Sequence, residues 1–143
     1  NMKLHIDIYF SQLLTLLSSI SIENALNEKP VPAALLKILL YIQQNYHHSI
    51  TLEDISYNFK LSKQYIIRLF KQHLNTTVTS YINSLKLYHS LELLKYSTMN
   101  IGEVAAFLGF NNPYYFSRMF KKAYHLTPSE FIQSELNCNI KLE

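Results

Sequence analysis

Two short segments of the sequence carry mainly hydrogen-bonding side chains at the spacing of a single helix face. Positions i, i+3, i+4 and i+7 hold Gln64, Ile67, Arg68 and Lys71 in the first segment, and Tyr114, Ser117, Arg118 and Lys121 in the second. Neither residues 59–74 nor residues 111–125 contain an acidic side chain. Arginine can bind O6 and N7 of guanine in a bidentate manner, glutamine can address adenine, and lysine holds phosphates. The chemistry that these residues predict is non-covalent recognition of nucleic acid.

The two segments belong to an internal repeat. With a shift of 49 residues, 52–55 (LEDI) falls on 101–104 (IGEV), and Leu61 falls on Phe110. One extra residue in the second copy changes the shift to 50, which pairs Tyr65 with Tyr115, Arg68 with Arg118, Phe70 with Phe120, Lys71 with Lys121, Thr77 with Thr127 and Ile82 with Ile132. A solvated helix face would explain one such segment. Two copies with the same placement of apolar and cationic residues favour a shared binding function.

Apolar periodicity and helix-start patterns predict the elements that position these side chains. Helices are predicted at about 33–46, 52–59, 63–74, 77–97, 101–108, 113–124 and 128–136, and no segment alternates like a strand. Capping boxes are predicted at 51–54, 100–103 and 127–130. The fold class is therefore all-α, with two helix-turn-helix modules joined by the long helix at 77–97.

The N-terminal part of the chain differs in charge from the rest. Residues 1–29 contain two basic and three acidic groups, whereas residues 30–143 contain 11 basic and 7 acidic groups. We expect three parts: an N-terminal helix and linker at 1–32, a double helix-turn-helix domain at 33–136, and a C-terminal tail at 137–143. The helix at 3–20 is apolar around most of its circumference, so we expect it to pack on a symmetry mate or to be the tail of a missing effector or dimerisation domain.

Several other classes of function have little support in the sequence. Cys138 is the only cysteine, which excludes a disulfide framework or zinc cluster within one chain and suits a reduced, cytoplasmic setting. His47 and His48 lack a third ligand at helical spacing, so a solvated helix end is the better interpretation of that pair. No glycine-rich phosphate loop, catalytic acid pair or membrane-length apolar run is present. We expect no enzyme activity, no metal, no cofactor and no membrane association.

At these residues the sequence resembles the C-terminal DNA-binding domain of the AraC/XylS family of bacterial transcription regulators. The resemblance covers residues 34–132 and is most specific in IGEVAAFLGFNNPYYFSRMFKKAYHLTPSEF, with SITLEDISYNFKLSKQYIIRLFKQHLNTT matching the first module. It implies two recognition helices that enter successive major grooves about 34 Å apart on one face of the duplex.

The resemblance also implies a set of DNA-binding residues. Base-reading positions would be Gln64, Ile67 and Arg68 in the first module, and Pro113, Tyr114, Ser117 and Arg118 in the second. Lys71 and Lys121 match positions that support phosphates or packing, and Lys63 and Asn112 complete the set at the starts of the two helices. The sequence departs from the family pattern at five positions: Asn75 and His125 replace glycines, Lys86 and Ile132 replace arginines, and Ser90 replaces an alanine.

These observations predict a sequence-specific transcription regulator, an activator that binds double-stranded DNA and also contacts RNA polymerase. A homodimer formed through the N-terminal helix or a missing domain is a further expectation. The alternative is a helical protein–protein interaction module with weak or lost base readout, because Ile67 cannot form hydrogen bonds and Pro113 has no side-chain donor.

Overall fold

The computed structural model describes residues 31–140, with side chains up to residue 137. These residues form seven helices and no strand: α1 (Ala33–Asn45), α2 (Leu52–Phe59), α3 (Lys63–Leu74), α4 (Val78–Tyr96), α5 (Ile101–Phe107), α6 (Pro113–Tyr124) and α7 (Pro128–Ile140). The predicted fold class is confirmed for this part of the chain. The helix predicted at 3–20 and the polar linker before residue 31 lie outside it. α7 ends four residues later than the predicted residue 136, so the predicted end of this helix is wrong.

The predicted capping boxes are present at the starts of three helices. Thr51 Oγ1 accepts a hydrogen bond from Asp54 N at 3.1 Å, and Asp54 Oδ2 accepts one from Thr51 N at 2.8 Å. The same reciprocal pair joins Asn100 with Glu103 and Thr127 with Glu130. Hydrogen bonds from Thr51 and Thr127 lower the pKa values of the Asp54 and Glu130 carboxyls. Each box satisfies backbone donors that a helix start leaves without partners.

The buried side chains form two clusters, one in each module. The first contains residues of α1, α2 and α3, with Val78 and Ile82 from the start of α4. The second contains residues of α5, α6 and α7, with Leu87 and Leu94 from the later part of α4. Because α4 contributes to both clusters, this helix joins the two modules as a shared structural element.

The turn between the two helices of each module contains a residue with positive φ. Lys60 has φ 53° and Gly109, its counterpart in the repeat, has φ 72°. In both turns the next residue donates a backbone hydrogen bond five residues back, from Leu61 to Ser56 O at 3.2 Å and from Phe110 to Ala105 O at 2.9 Å. This is the Schellman arrangement that ends a helix. The extra residue of the second copy therefore lies after this shared helix end.

A glycine is needed at position 109 more than at position 60, where the chain has a lysine. A Cβ atom on Gly109 would lie 3.0 Å from the carbonyl oxygen of His47 and 3.1 Å from the carbonyl carbon of His48. We expect Gly109→Ala to lower the free energy of unfolding by about 2 kcal/mol, because it adds a strained backbone conformation and a backbone contact that is too close. Denaturation in guanidinium chloride measures this loss.

Lys60→Gly is the matched control, since it relieves the same backbone conformation in the first module. We expect it to change stability by less than about 1 kcal/mol, in the stabilising direction. A Gly109→Ala protein as stable as the wild type would contradict the close approach to the 47–48 backbone.

Three contacts along α4 and its surroundings set how the two modules meet. Lys86 is only 4% exposed; its Nζ donates to Gly109 O at 3.3 Å and lies 5.3 Å from the centre of the Phe110 ring. Burial lowers the pKa of this ammonium group. The His89 ring stacks on Tyr46 with centroids 4.0 Å apart. The segment before the first module is thus packed against α4 and against the turn of the second module.

Candidate nucleic-acid interface

Helix α3 presents the predicted cationic face to solvent. Its buried residues are Ile66, Leu69 and Phe70. The five predicted site residues of this module are all exposed: Lys63, Gln64, Ile67, Arg68 and Lys71. This division follows from the helical period, because residues three or four apart lie on the same side. Ile67 is 50% exposed and lies among the polar side chains of this face.

Helix α6 repeats this arrangement in the second module. Phe116, Phe120 and Tyr124 are buried. Of the predicted site residues, Ser117 is half-buried, and the others are exposed: Asn112, Pro113, Tyr114, Arg118 and Lys121. Tyr114 is 81% exposed. The structure therefore places the predicted residues of each module on one accessible helix face.

Each of these helices begins with a polar side chain that caps it. Ser62 Oγ accepts a hydrogen bond from Tyr65 N at 3.2 Å. Asn112 Oδ1 accepts bonds from Tyr114 N at 2.8 Å and from Tyr115 N at 3.4 Å. The acceptor of Asn112 is thus used in starting α6, which leaves only its amide donors for a ligand. Pro113 occupies the first turn, where its missing N–H costs no hydrogen bond.

Two cations of α3 already have partners within the first module. Lys63 Nζ forms an ion pair with Glu53 on α2, and this contact lowers the pKa of the Glu53 carboxyl. The guanidinium carbon of Arg68 lies 5.2 Å from the centre of the Tyr65 ring. The internal repeat pairs Tyr65 with Tyr115, but Tyr65 is not among the DNA-binding residues that were predicted from the sequence. An aromatic residue three positions before an arginine indicates that the two can be neighbours on a helix, but the same spacing occurs at Tyr115 and Arg118 and so does not by itself reveal the contact.

Charge is segregated between the helices of each module. The acids Glu53, Asp54 and Glu103 lie in the first turns of α2 and α5, where the helix dipole favours negative charge. The last turns of α3 and α6 carry Lys71, Lys121 and Lys122. Among the helices within residues 31–140, α3 and α6 are therefore the two that combine an exposed cationic face with polar groups near their N-termini. A helix that reads DNA in the major groove has this arrangement. None of the helices within residues 31–140 has the length and hydrophobicity that crossing a lipid bilayer requires.

Comparisons with known proteins agree with this geometry. The profile of a family described as "Helix-turn-helix domain" matches residues 55–134. The activator RhaS of Salmonella schwarzengrund is 30% identical over 128 residues, which are 89% of this chain and 45% of RhaS. The chain spans between 33% and 45% of the length of the first curated relatives that it matches.

Solved structures share the same fold. The C-terminal domain of the response regulator AraT from Geobacillus stearothermophilus superposes with a TM-score of 0.70 at 25% identity, covering 74% of this chain and 88% of that domain. A regulator of Chromobacterium violaceum, described as containing an AraC-type DNA-binding domain, gives a TM-score of 0.66 at 25% identity over 71% of this chain and 91% of its own. The chain belongs to the AraC/XylS family of DNA-binding transcription regulators and contains the family's C-terminal DNA-binding domain.

Proposed function

We propose that the protein binds a specific double-stranded DNA site by inserting α3 and α6 into two successive major grooves. The observation that carries this proposal is the repetition of one exposed, acid-free helix face in two modules that share α4. The 19 residues of α4 span about 28 Å, close to the roughly 34 Å that separates major grooves on one face of a duplex. Connection through α4 is better suited to two helices that read one DNA site together than to two modules that bind independently.

The exposed side chains have distinct proposed roles. Arg68 and Arg118 would each bind a guanine, and Gln64 an adenine, because these groups offer the matching donors. Ile67 would contact a thymine methyl group. Ser117, half-buried beside Arg118, would contribute a hydroxyl at close range. Lys71 and Lys121 would bind phosphates and so set the position of each helix in its groove.

In the relatives of this chain, such a domain is part of a longer protein. The remaining proposals concern that longer protein. RhaS is named an activator, and we propose the same sign of regulation here, exerted through contact with RNA polymerase. We also propose that residues 1–32 are the tail of an effector or dimerisation domain and that this part of the chain supports a homodimer. The apolar circumference of residues 3–20 supports that proposal, because it calls for cover by another surface.

Altered spacing within the operator tests the use of two grooves. Selection of bound sites from random DNA would first define the two half-sites. Insertion of five base pairs between them moves one half-site to the opposite face of the duplex. We expect this to weaken binding by at least about tenfold, since only one module can then read its bases. Titration by fluorescence anisotropy at fixed salt measures the change.

Insertion of ten base pairs is the informative control. It returns the second half-site to the same face but moves it about 34 Å further away, beyond the reach of one α4 helix. We expect binding as weak as with five base pairs. Binding that tolerates both insertions would contradict the use of two grooves and favour the interaction-module alternative or a single reading helix.

A further inference from the structure

The two recognition helices hold their equivalent arginines in different ways. In α3 the guanidinium of Arg68 lies over the ring of Tyr65, with 5.2 Å between the guanidinium carbon and the ring centre. The two residues are three positions apart and so are neighbours on the helix surface. Tyr65 itself is half-buried and packs against the first hydrophobic cluster. The ring is therefore a fixed platform beneath an exposed arginine.

The second module has the same pair of residue types at the same spacing but arranges them otherwise. The Tyr115 ring lies 6.2 Å from that of Phe110, and its hydroxyl accepts a hydrogen bond from Asn83 Nδ2 on α4 at 3.4 Å. Tyr115 is thus directed towards the junction between the modules. Within residues 31–137, the cation–ring contacts involve Arg68, Lys86 and Lys95, and not Arg118.

A guanidinium that rests on an aromatic face keeps its N–H groups free, because those groups lie at the edge of its plane. The ring restricts the plane without using the donors that a guanine would accept. Less side-chain entropy is then lost when the arginine binds a base. Arg118, without such a platform, has to be ordered at the moment of binding.

We propose that Tyr65 is a positioning residue for Arg68. It makes the first module a preorganised reader of its base pair, whereas the second module reads through an arginine that becomes ordered only on DNA. This inference rests on the proposed function for its consequence in DNA binding. The platform itself is a property of the free protein.

The free protein provides the first test. Nitrogen-15 relaxation of the arginine Nε–H groups reports their order on the picosecond to nanosecond timescale. We expect a higher order parameter for Arg68 than for Arg118 in the unmodified chain, and a fall to the Arg118 level in Tyr65→Leu. Tyr65→Phe, which keeps the aromatic face, should retain the wild-type value. Equal mobility of the two arginines in the unmodified chain would overturn the proposal without any variant having to fold.

Binding to the selected operator provides the second test. We expect Tyr65→Leu to reduce discrimination at the base pair read by Arg68 by about two- to fivefold, and Tyr65→Phe to preserve it. In an Arg68→Ala background, Tyr65→Leu should have no further effect on discrimination. An equal loss of affinity for correct and substituted base pairs would mean that Tyr65 acts through packing alone, which contradicts the proposal.

The two proposals fail in different ways. If Arg68→Ala leaves discrimination unchanged, groove reading by α3 is wrong, and the relaxation data still decide whether the platform exists. If Arg68→Ala relaxes discrimination but Tyr65→Leu does not, groove reading stands and the positioning role is wrong.

Discussion

The double variant Arg68→Ala/Arg118→Ala is expected to lose much of its preference for the selected operator over unrelated DNA. Each arginine that contacts a guanine bidentately contributes about 1–3 kcal/mol of discrimination at one base pair. The two side chains lie on different modules, with separate hydrophobic clusters, so their contributions should be nearly additive. The combined loss corresponds to about 2–6 kcal/mol, measured as the ratio of dissociation constants for the selected operator and for unrelated DNA of equal length.

Each single variant should relax the base preference at one position only, and the two positions should lie in different half-sites. Lys37→Ala is the matched control, since it removes one exposed cation from α1, outside both recognition helices. It should change affinity for all sequences alike and leave discrimination intact. Unchanged specificity in both arginine variants would show that the assigned helix faces do not read bases.

Truncation of Phe120 is expected to have the largest effect on stability. This side chain is fully buried, and its ring lies within 5.9 Å, centre to centre, of the rings of Phe116, Tyr124 and Phe131. Phe120→Ala removes contacts with α6 and α7 at once and leaves a cavity, so we expect a loss of about 3–5 kcal/mol in the free energy of unfolding. Chemical denaturation followed by circular dichroism measures it.

Phe70→Ala makes the equivalent change in the first cluster, and Phe107→Ala is the surface control because Phe107 is 48% exposed. If α4 couples the modules, Phe70→Ala and Phe120→Ala should each shift one cooperative transition of the whole domain. Two separate transitions would show that the modules unfold independently. A loss below about 1 kcal/mol for Phe120→Ala would contradict its place in the core.

The sequence alone was sufficient to predict the helices, their buried and exposed faces, and the family. Residues such as Phe70 and Phe120 recur at the helical period, and capping boxes mark the starts of helices, so both follow from local rules. The seven helices described here begin and end within two residues of the predicted bounds, except that α7 extends to Ile140. The exposure of Arg68 and Arg118 follows from the same periodicity, because each lies opposite a buried phenylalanine on its helix.

The tertiary structure decided how the modules meet and how each arginine is held. Lys86 and Ser90 lie on α4 among its apolar residues, and both are buried: Lys86 donates to Gly109 O, and Ser90 Oγ donates to Leu87 O at 2.6 Å. The helical period places both positions on the face of Val78, Ile82 and Leu94. It could not supply the partner of Lys86, which lies 23 residues further along the chain.

The same applies to the stacking of Tyr46 on His89 and to the different surroundings of Tyr65 and Tyr115. The repeat makes these two tyrosines equivalent, and both stand three residues before an arginine. Tyr115 has as neighbours Phe110, which takes the place of Leu61, and Asn83 on α4, whereas Tyr65 remains beside Arg68. Periodicity determines which side of a helix faces outwards, but only contacts between distant segments determine what each side chain touches there.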